Sequence, residues 1–231
     1  MKTLIDNGPK SLALNLENTA VTNIYLLIKR VLDMLIALGL IILFGPLMLV
    51  IALGIRISSP GPIFYRQKRI GKDGRPFTML KFRSMQVNNN PDLHRQYVQK
   101  LIKEDTQPRD LGKRNLKILN DARITGLGKY LRKFSLDELP QFFNVLKGEM
   151  SIVGPRPSLP YEYAVYQGWH KQRLKVLPGI TGLWQVKARN LVSFDDMVRI
   201  DIEYIQTMSL WLDLKIIFLT PIEMIQGKGA G

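Results

Sequence analysis

The stretch that most limits what this chain can become is Met34 to Ile55, because it carries no charged side chain. As a straight helix rising ~1.5 Å per residue it extends about 30 Å, the thickness of the hydrocarbon core of a bilayer. A spanning helix is the first expectation, and two features oppose it. Gly45 and Pro46 fall near the middle of the run, where proline deletes an internal hydrogen bond and clashes with the carbonyl four residues back. Basic residues also flank both ends, Lys29 and Arg30 before the run and Arg56, Arg66, Lys68 and Arg69 after it, whereas a span is normally lopsided. A helix that enters, turns at Gly45-Pro46 and leaves on the same face satisfies both observations. Proline kinks are tolerated inside ordinary spans, so the residues alone leave both topologies open.

With 231 residues the chain has ample material for a core, and its 33 lysines and arginines against 19 acids give a net charge of +14. Such a balance calls for an anionic partner: nucleic acid, an acidic membrane face or a phosphorylated substrate. No zinc-finger, RNP, KH or basic-zipper pattern accompanies the spread-out cations, so nucleic acid is not expected and a membrane is. The absence of cysteine excludes disulfides and thiolate metal sites, and the spacing of His94 and His170 fits no zinc pattern. Any metal is therefore a hard, oxygen-ligated ion such as Mg²⁺.

The chemistry concentrates between Arg132 and Arg156. Two adjacent carboxylates, Asp137 and Glu138, are bracketed by cations, and Gly154-Pro155-Arg156-Pro157 follows a short apolar run. A helix starting at Asp137 places Pro140 in its first turn, where the missing N–H removes no internal bond. Ser135 is the rival cap, with Glu138 three residues on, but it sets Pro140 too deep. On the first reading Leu139, Phe142, Phe143 and Leu146 form the buried stripe and Gly148 ends the helix. Both acids then sit at the positive end of a helix dipole, beside N–H groups ready for an anion. Asp137 as a plain helix cap is the competing explanation.

Elsewhere, Met1 to Val21 reads as a tail or short surface element. Ile63–Ile70 and Pro76–Met85 form a hairpin through Lys72-Asp73-Gly74, with Lys81 and Arg83 on one face of the second strand. The bland reading of those two cations is a solvated edge. Leu93 to Ile102 suits a surface or headgroup-layer helix. Tyr161 to Val176 reads as a helix stopped by Pro178-Gly179, and Ile180 to Val186 as a turn and strand. Phe194 to Met208 is a helix with Met197, Ile200, Tyr204 and Met208 on one face. Trp211 to Leu219 is too short to span but apolar enough to dock at a membrane interface, and Gln226 to Gly231 is a tail.

Six separated blocks now agree: Lys29 to Asp33, Gln67 to Gly71, Lys81 to Met85, Ser135 to Gln141, Gly154 to Pro157 and Pro178 to Gly182. From about Lys29 to the C-terminus the chain resembles the bacterial sugar transferase family, the monotopic phosphoglycosyl transferases that include undecaprenyl-phosphate glucose and galactose phosphotransferases. The resemblance implies an α+β membrane-associated fold: a tail over 1–28, a re-entrant membrane helix over 29–57 broken at Gly45-Pro46, and a cytoplasmic catalytic domain over 58–231. That domain is expected to be mostly helical, with a small antiparallel hairpin and interfacial amphipathic helices. Larger relatives carry further membrane helices and a domain ahead of this unit, and this chain looks like the minimal catalytic form. Two positions depart from the family pattern: Gly45-Pro46 stands where Ser-Pro is common, and Lys187-Ala188-Arg189 where glycine commonly precedes the arginine.

The resemblance further implies that Asp137 is the nucleophile, with Glu138 beside it at a Mg²⁺ ion. Arg156 is implied to bind phosphate, helped by Lys81, Arg132 and Arg189, and Asp201 matches a family acidic position near the site. The implied partners are a UDP-sugar, undecaprenyl phosphate and the bilayer, at the bacterial inner membrane with the catalytic domain in the cytoplasm and a homodimer left open. The implied product is undecaprenyl-diphosphate-sugar, made with release of UMP through an aspartyl phosphosugar, as the first membrane step of exopolysaccharide, capsule or O-antigen assembly. A non-catalytic, membrane-anchored basic protein is one rival, and a polytopic transferase that liberates UDP is another.

Overall fold

The computed structural model describes residues 20–86, 123–188 and 192–225, together with 95, 98, 99 and 102. The expected tail up to residue 19, most of the helix expected at 93–102, Arg189 and the tail from Gln226 lie outside the described residues.

Helix α1, Ala20–Ser58, starts ahead of the expected boundary at Lys29 and is one element with Pro46 inside it. Pro46 deletes one internal hydrogen bond, and helical residues continue on both sides of it. Asp33, Ala37, Met48, Ile51 and Ile55 form one buried stripe at helical spacing across the proline. The opposite face is bare and apolar: Ile42, Leu43, Leu49, Val50 and Ile57 are between 62 % and 86 % exposed. Water penalises an apolar surface of that extent, and α1 is the one helix among the described residues long and apolar enough to cross a bilayer. Its length and bare apolar face suit α1 to a membrane.

Both arms of α1 grip the same domain. In the first arm Arg30 donates to Val145 O at 2.7 Å and Leu146 O at 3.2 Å, and Asp33 accepts from Ser151 Oγ at 2.6 Å and Ile152 N at 3.1 Å. At the far end Arg83 donates to Ile55 O in the last turn of α1 at 3.5 Å, and to Ser59 O at 2.7 Å and Pro60 O at 2.9 Å just past it.

Strands β1, Phe64–Ile70, and β2, Pro76–Phe82, form the expected antiparallel hairpin. Its turn uses Asp73 at φ 55° and Gly74 at φ 75°, the left-handed region these residues tolerate best. Helix α2, Gly126–Lys133, is capped by Thr125, whose Oγ1 accepts from Gly128 N at 3.0 Å.

The expected helix start at Asp137 is not where the helix begins. Leu136–Glu138 is a 3₁₀ turn, and α3 runs over Gln141–Leu146. Glu138 N and Leu139 N make three-residue bonds to Ser135 O and Leu136 O. Pro140 has no N–H to offer Asp137 O, so the tight turn stops there and α3 starts afresh. Gly148, at φ 83°, ends α3 as expected. The anticipated stripe is only half-buried, because α3 is gripped on two sides; its fully buried residues are Gln141, Asn144 and Val145.

Strands β3, Ser151–Val153, and β4, Gly179–Thr181, make a parallel pair absent from the sequence reading. Their backbones nearly touch: a Cβ on Gly179 would fall 2.1 Å from Gly154 N. That contact explains the glycines on both sides of the crossover. Between them the single helix expected over Tyr161–Val176 divides into α4, Pro160–Tyr163, and a 3₁₀ stretch, Trp169–Lys175. The Gln167 N–H, which a continuous helix would give to its own backbone, goes instead to His170 Nδ1 at 3.1 Å. Residues Leu183–Lys187, expected to continue a strand, wind into α5 because Gln185 N and Val186 N both turn back to Gly182 O.

Helix α6, Phe194–Thr207, is capped by Ser193 and buries Met197 and Tyr204 as expected, with Ile200 half-buried. Helix α7, Leu210–Ile225, outruns the expected Trp211–Leu219 segment and exposes Trp211, Leu214, Phe218 and Ile222 along one stripe.

Candidate active site

One face of the hairpin carries the site. The register pairs Tyr65 with Lys81, Gln67 with Met79 and Arg69 with Phe77, and paired residues share a face. Asn144 of α3 clamps the free edge of β2: its Oδ1 accepts from Leu80 N at 3.0 Å and its Nδ2 donates to Thr78 O at 2.8 Å. A side-chain amide here stands in for one residue of a third strand. The same Nδ2 donates to Glu149 Oε2 at 2.6 Å, which fixes the amide's orientation.

That clamp holds the Leu136–Glu138 turn against the hairpin. Lys81 Nζ meets Glu138 Oε1 at 2.6 Å, with the two side chains 20 % and 34 % exposed. Lys81 is therefore not a solvated edge residue, and Arg83, buried on the end of α1, is not one either. Asp137 is buried next to Glu138. The two acids precede α3 by a turn and do not cap it, so dipole stabilisation from so short a helix is weak. Arg132 sits in the last turn of α2, half-buried, and its carbonyl accepts from Ser135 N at 3.3 Å, leading directly into the acidic turn.

The other end of the face belongs to Arg156. Arg69 donates from Nη1 to Pro157 O at 2.9 Å and from Nη2 to Gln67 Oε1 at 2.7 Å, while Ile70 N bonds Ser158 O at 2.8 Å. These bonds fasten the Gly154–Pro157 loop to β1. Burial, reinforced by the nearby Arg156 charge, lowers Arg69 to about 10, so it remains a cation at neutral pH. From Tyr65, opposite Lys81, to Arg69 is roughly 13 Å of strand.

Asp201 joins this second group and not the carboxylate pair. It is 1 % exposed and ion-paired with the buried Arg173, whose guanidinium also donates to Tyr166 Oη at 3.1 Å and Arg156 O at 3.3 Å. Burial pushes the Asp201 carboxyl up to about 6 against the pull of Arg173, and it is ionised at neutral pH. Asp201 thus reaches the Arg156 loop through Arg173. Arg156, Glu162 and Arg173 line a small cavity with Val98, Ile102 and Phe194.

Sequence reasoning missed Asn144, Arg69 and Arg173 as parts of this arrangement. Asn144 carried a signal, being the polar residue inside Phe142–Leu146. Arg69 lay in a block already singled out, and Arg173 was one cation among several. Among the described residues no three acids or histidines gather to cage a metal. The oxygen donors at the turn are Asp137 and Glu138, a set that suits a Mg²⁺ ion sharing its shell with substrate phosphate and water.

Fold and site define an α+β protein with one long apolar helix, which sets an acidic turn and the Arg156 loop against one hairpin. Residues 24–227 match the family described as Bacterial sugar transferase, and the chain belongs to that family. It is 42 % identical over 207 residues to the galactosyl transferase CpsE of Streptococcus agalactiae serotype III, covering 89 % of this chain and 44 % of that protein. Against the UDP-glucose:undecaprenyl-phosphate glucose-1-phosphate transferase of Escherichia coli K12 the identity is 39 % over 223 residues, 93 % of this chain and 44 % of that one. The exopolysaccharide production protein ExoY of Rhizobium meliloti is 38 % identical over 214 residues, 93 % of this chain and 92 % of ExoY. The chain spans less than half the length of the first two relatives and nearly all of the third.

Proposed function

We propose that this chain transfers a sugar 1-phosphate from a UDP-sugar to undecaprenyl phosphate at the bacterial inner membrane, with its catalytic domain on the cytoplasmic face, as the first membrane step of exopolysaccharide, capsule or O-antigen assembly. The observation that carries the proposal is the Asp137-Glu138 turn held against Lys81 beside the apolar helix that would reach the lipid. A carboxylate approaches a diphosphate only when the phosphate oxygens are neutralised. Lys81 and the half-buried Arg156, whose planar fork can bond two oxygens, supply fixed positive charge at the two ends of the face, and Arg132 and Arg189 are further candidates for this work. A Mg²⁺ ion held by Asp137 and Glu138 would add Lewis-acid neutralisation at the phosphorus.

In the proposed reaction an Asp137 oxygen attacks the sugar-bearing phosphorus, and the bridging P–O bond breaks with its electron pair leaving on UMP. A phosphate oxygen of undecaprenyl phosphate then attacks the resulting aspartyl phosphosugar. The Asp137–phosphorus bond breaks, and the carboxylate is restored beside undecaprenyl-diphosphate-sugar. Purified chain given a panel of UDP-sugars and undecaprenyl phosphate is expected to release UMP. Release of UDP would mean transfer of the sugar without its phosphate, and release of neither would leave a basic membrane-anchored binder.

The grip of both arms of α1 on one domain supports a re-entrant placement, since a straight span would carry one arm to the far side of the bilayer. The exposed stripe of α7 supports docking of that helix in the interface. Cysteines introduced at Asn7 and Asn88 are expected to react with an impermeant reagent from the same side of sealed vesicles. Reaction from opposite sides would restore the span.

A further inference from the structure

Asp213, on α7, is a buried acid that the proposed chemistry does not use. Its Oδ2 accepts from Tyr25 Oη at 3.0 Å and Lys29 Nζ at 2.9 Å, both on the first arm of α1, and its Oδ1 accepts from Tyr204 Oη of α6 at 2.7 Å. The same Tyr204 oxygen lies 3.2 Å from Val153 O, the last residue of β3 before the Arg156 loop. Lys29 also reaches Asp33 at 3.7 Å, and Asp33 accepts the Ser151 and Ile152 donors at the other end of β3. One carboxylate therefore joins the long apolar helix, helices α6 and α7 and, through Tyr204, the strand that presents Arg156. Its charge is what lets it satisfy three donors at once.

We propose that Asp213 is a positioning residue that locks the first arm of α1 to β3 and so sets where a membrane-held acceptor phosphate meets Arg156. The acceptor half of this inference rests on the transfer reaction proposed above, whereas the locking of the arm does not. Glu138 is held to β2 by its own bond to Lys81, and the first arm keeps its separate Arg30 bonds to Val145 O and Leu146 O when Asp213 is changed, so the donor step stays in place.

The test uses Asp213→Asn and the milder Tyr25→Phe in the full chain reconstituted in lipid nanodiscs. Asp213→Asn is expected to speed amide exchange over residues 24–37 and raise KM for undecaprenyl phosphate about tenfold, as loss of charge-assisted bonds predicts. Tyr25→Phe should shift both in the same direction by less, and it carries the test where the Asn variant does not fold. Single-turnover UMP release from the donor alone should stay within about twofold of wild type, a split that general loss of structure does not produce. Asp213→Glu, which keeps the charge, should recover part of the KM. An unchanged lipid KM, or a parallel fall in the donor step, overturns the inference. Should wild type release no UMP, the transfer reaction fails separately, and unchanged exchange over 24–37 in Asp213→Asn then overturns the lock itself.

Discussion

Asp137→Asn is expected to abolish UMP release, lowering the rate by at least about a thousandfold, the scale seen when a nucleophile is removed from a group that acts as a unit. The amide matches the carboxylate in shape but has no lone pair basic enough to displace a phosphoryl leaving group. Asp137 is buried in a turn whose tightness comes from backbone bonds, Glu138 N to Ser135 O and Leu139 N to Leu136 O, and these do not depend on its side chain. The backbone of the turn should therefore persist while the chemistry is lost. Intact-mass measurement after quenching with donor alone should find a hexose-phosphate adduct in the wild type and none in the variant. Release that persists unchanged in Asp137→Asn would remove that residue from the role, and turnover without any adduct would remove the covalent step.

How much of this was legible depends on the range of the forces that fix each element. The hairpin was, because Lys72-Asp73-Gly74 and the alternating strands are local signals that the fold had no reason to override. Helix α6 was for the same reason, through an apolar face at helical spacing, and the structure adds Ser193 as its cap. The start of α3 was misread because Pro140 is acceptable in the first turn of a helix and equally able to end a 3₁₀ turn, and propensity alone does not separate the two. The break after α4 depended on His170 capturing the Gln167 N–H, a competition invisible to apolar periodicity. In the site, Asp137, Glu138 and Arg156 stood out as chemistry-bearing residues in short motifs. Their pairings did not: Lys81 meets Glu138, and Arg173 meets Arg156 O and Asp201, only once distant segments have packed.

Arg173→Met is expected to destabilise the fold by about 3–5 kcal/mol at neutral pH, because removing one member of a buried pair strands the other. That loss is a large share of the stability of an ordinary domain. Arg173 is 2 % exposed, and it also serves Tyr166 Oη and Arg156 O, so its removal leaves the Asp201 charge buried and loosens the Arg156 loop together. The pH dependence separates this cause from lost packing. In the wild type the Asp201 carboxyl, ordinarily near 3.8, is raised to about 6, so between those values the folded state holds a proton the unfolded chain has released. Stability from this group accordingly falls as pH rises through that window and is level above it. Without Arg173 the carboxyl has lost the cation that opposed its burial, its pKa climbs further, and the fall continues toward neutrality. The gap between wild type and Arg173→Met in denaturant midpoint should therefore widen as pH rises from about 6 to about 8 and narrow at about pH 4, where Asp201 is protonated in both. A gap of constant size across that range would mean that the methionine costs packing alone and that the Asp201 charge does not depend on Arg173.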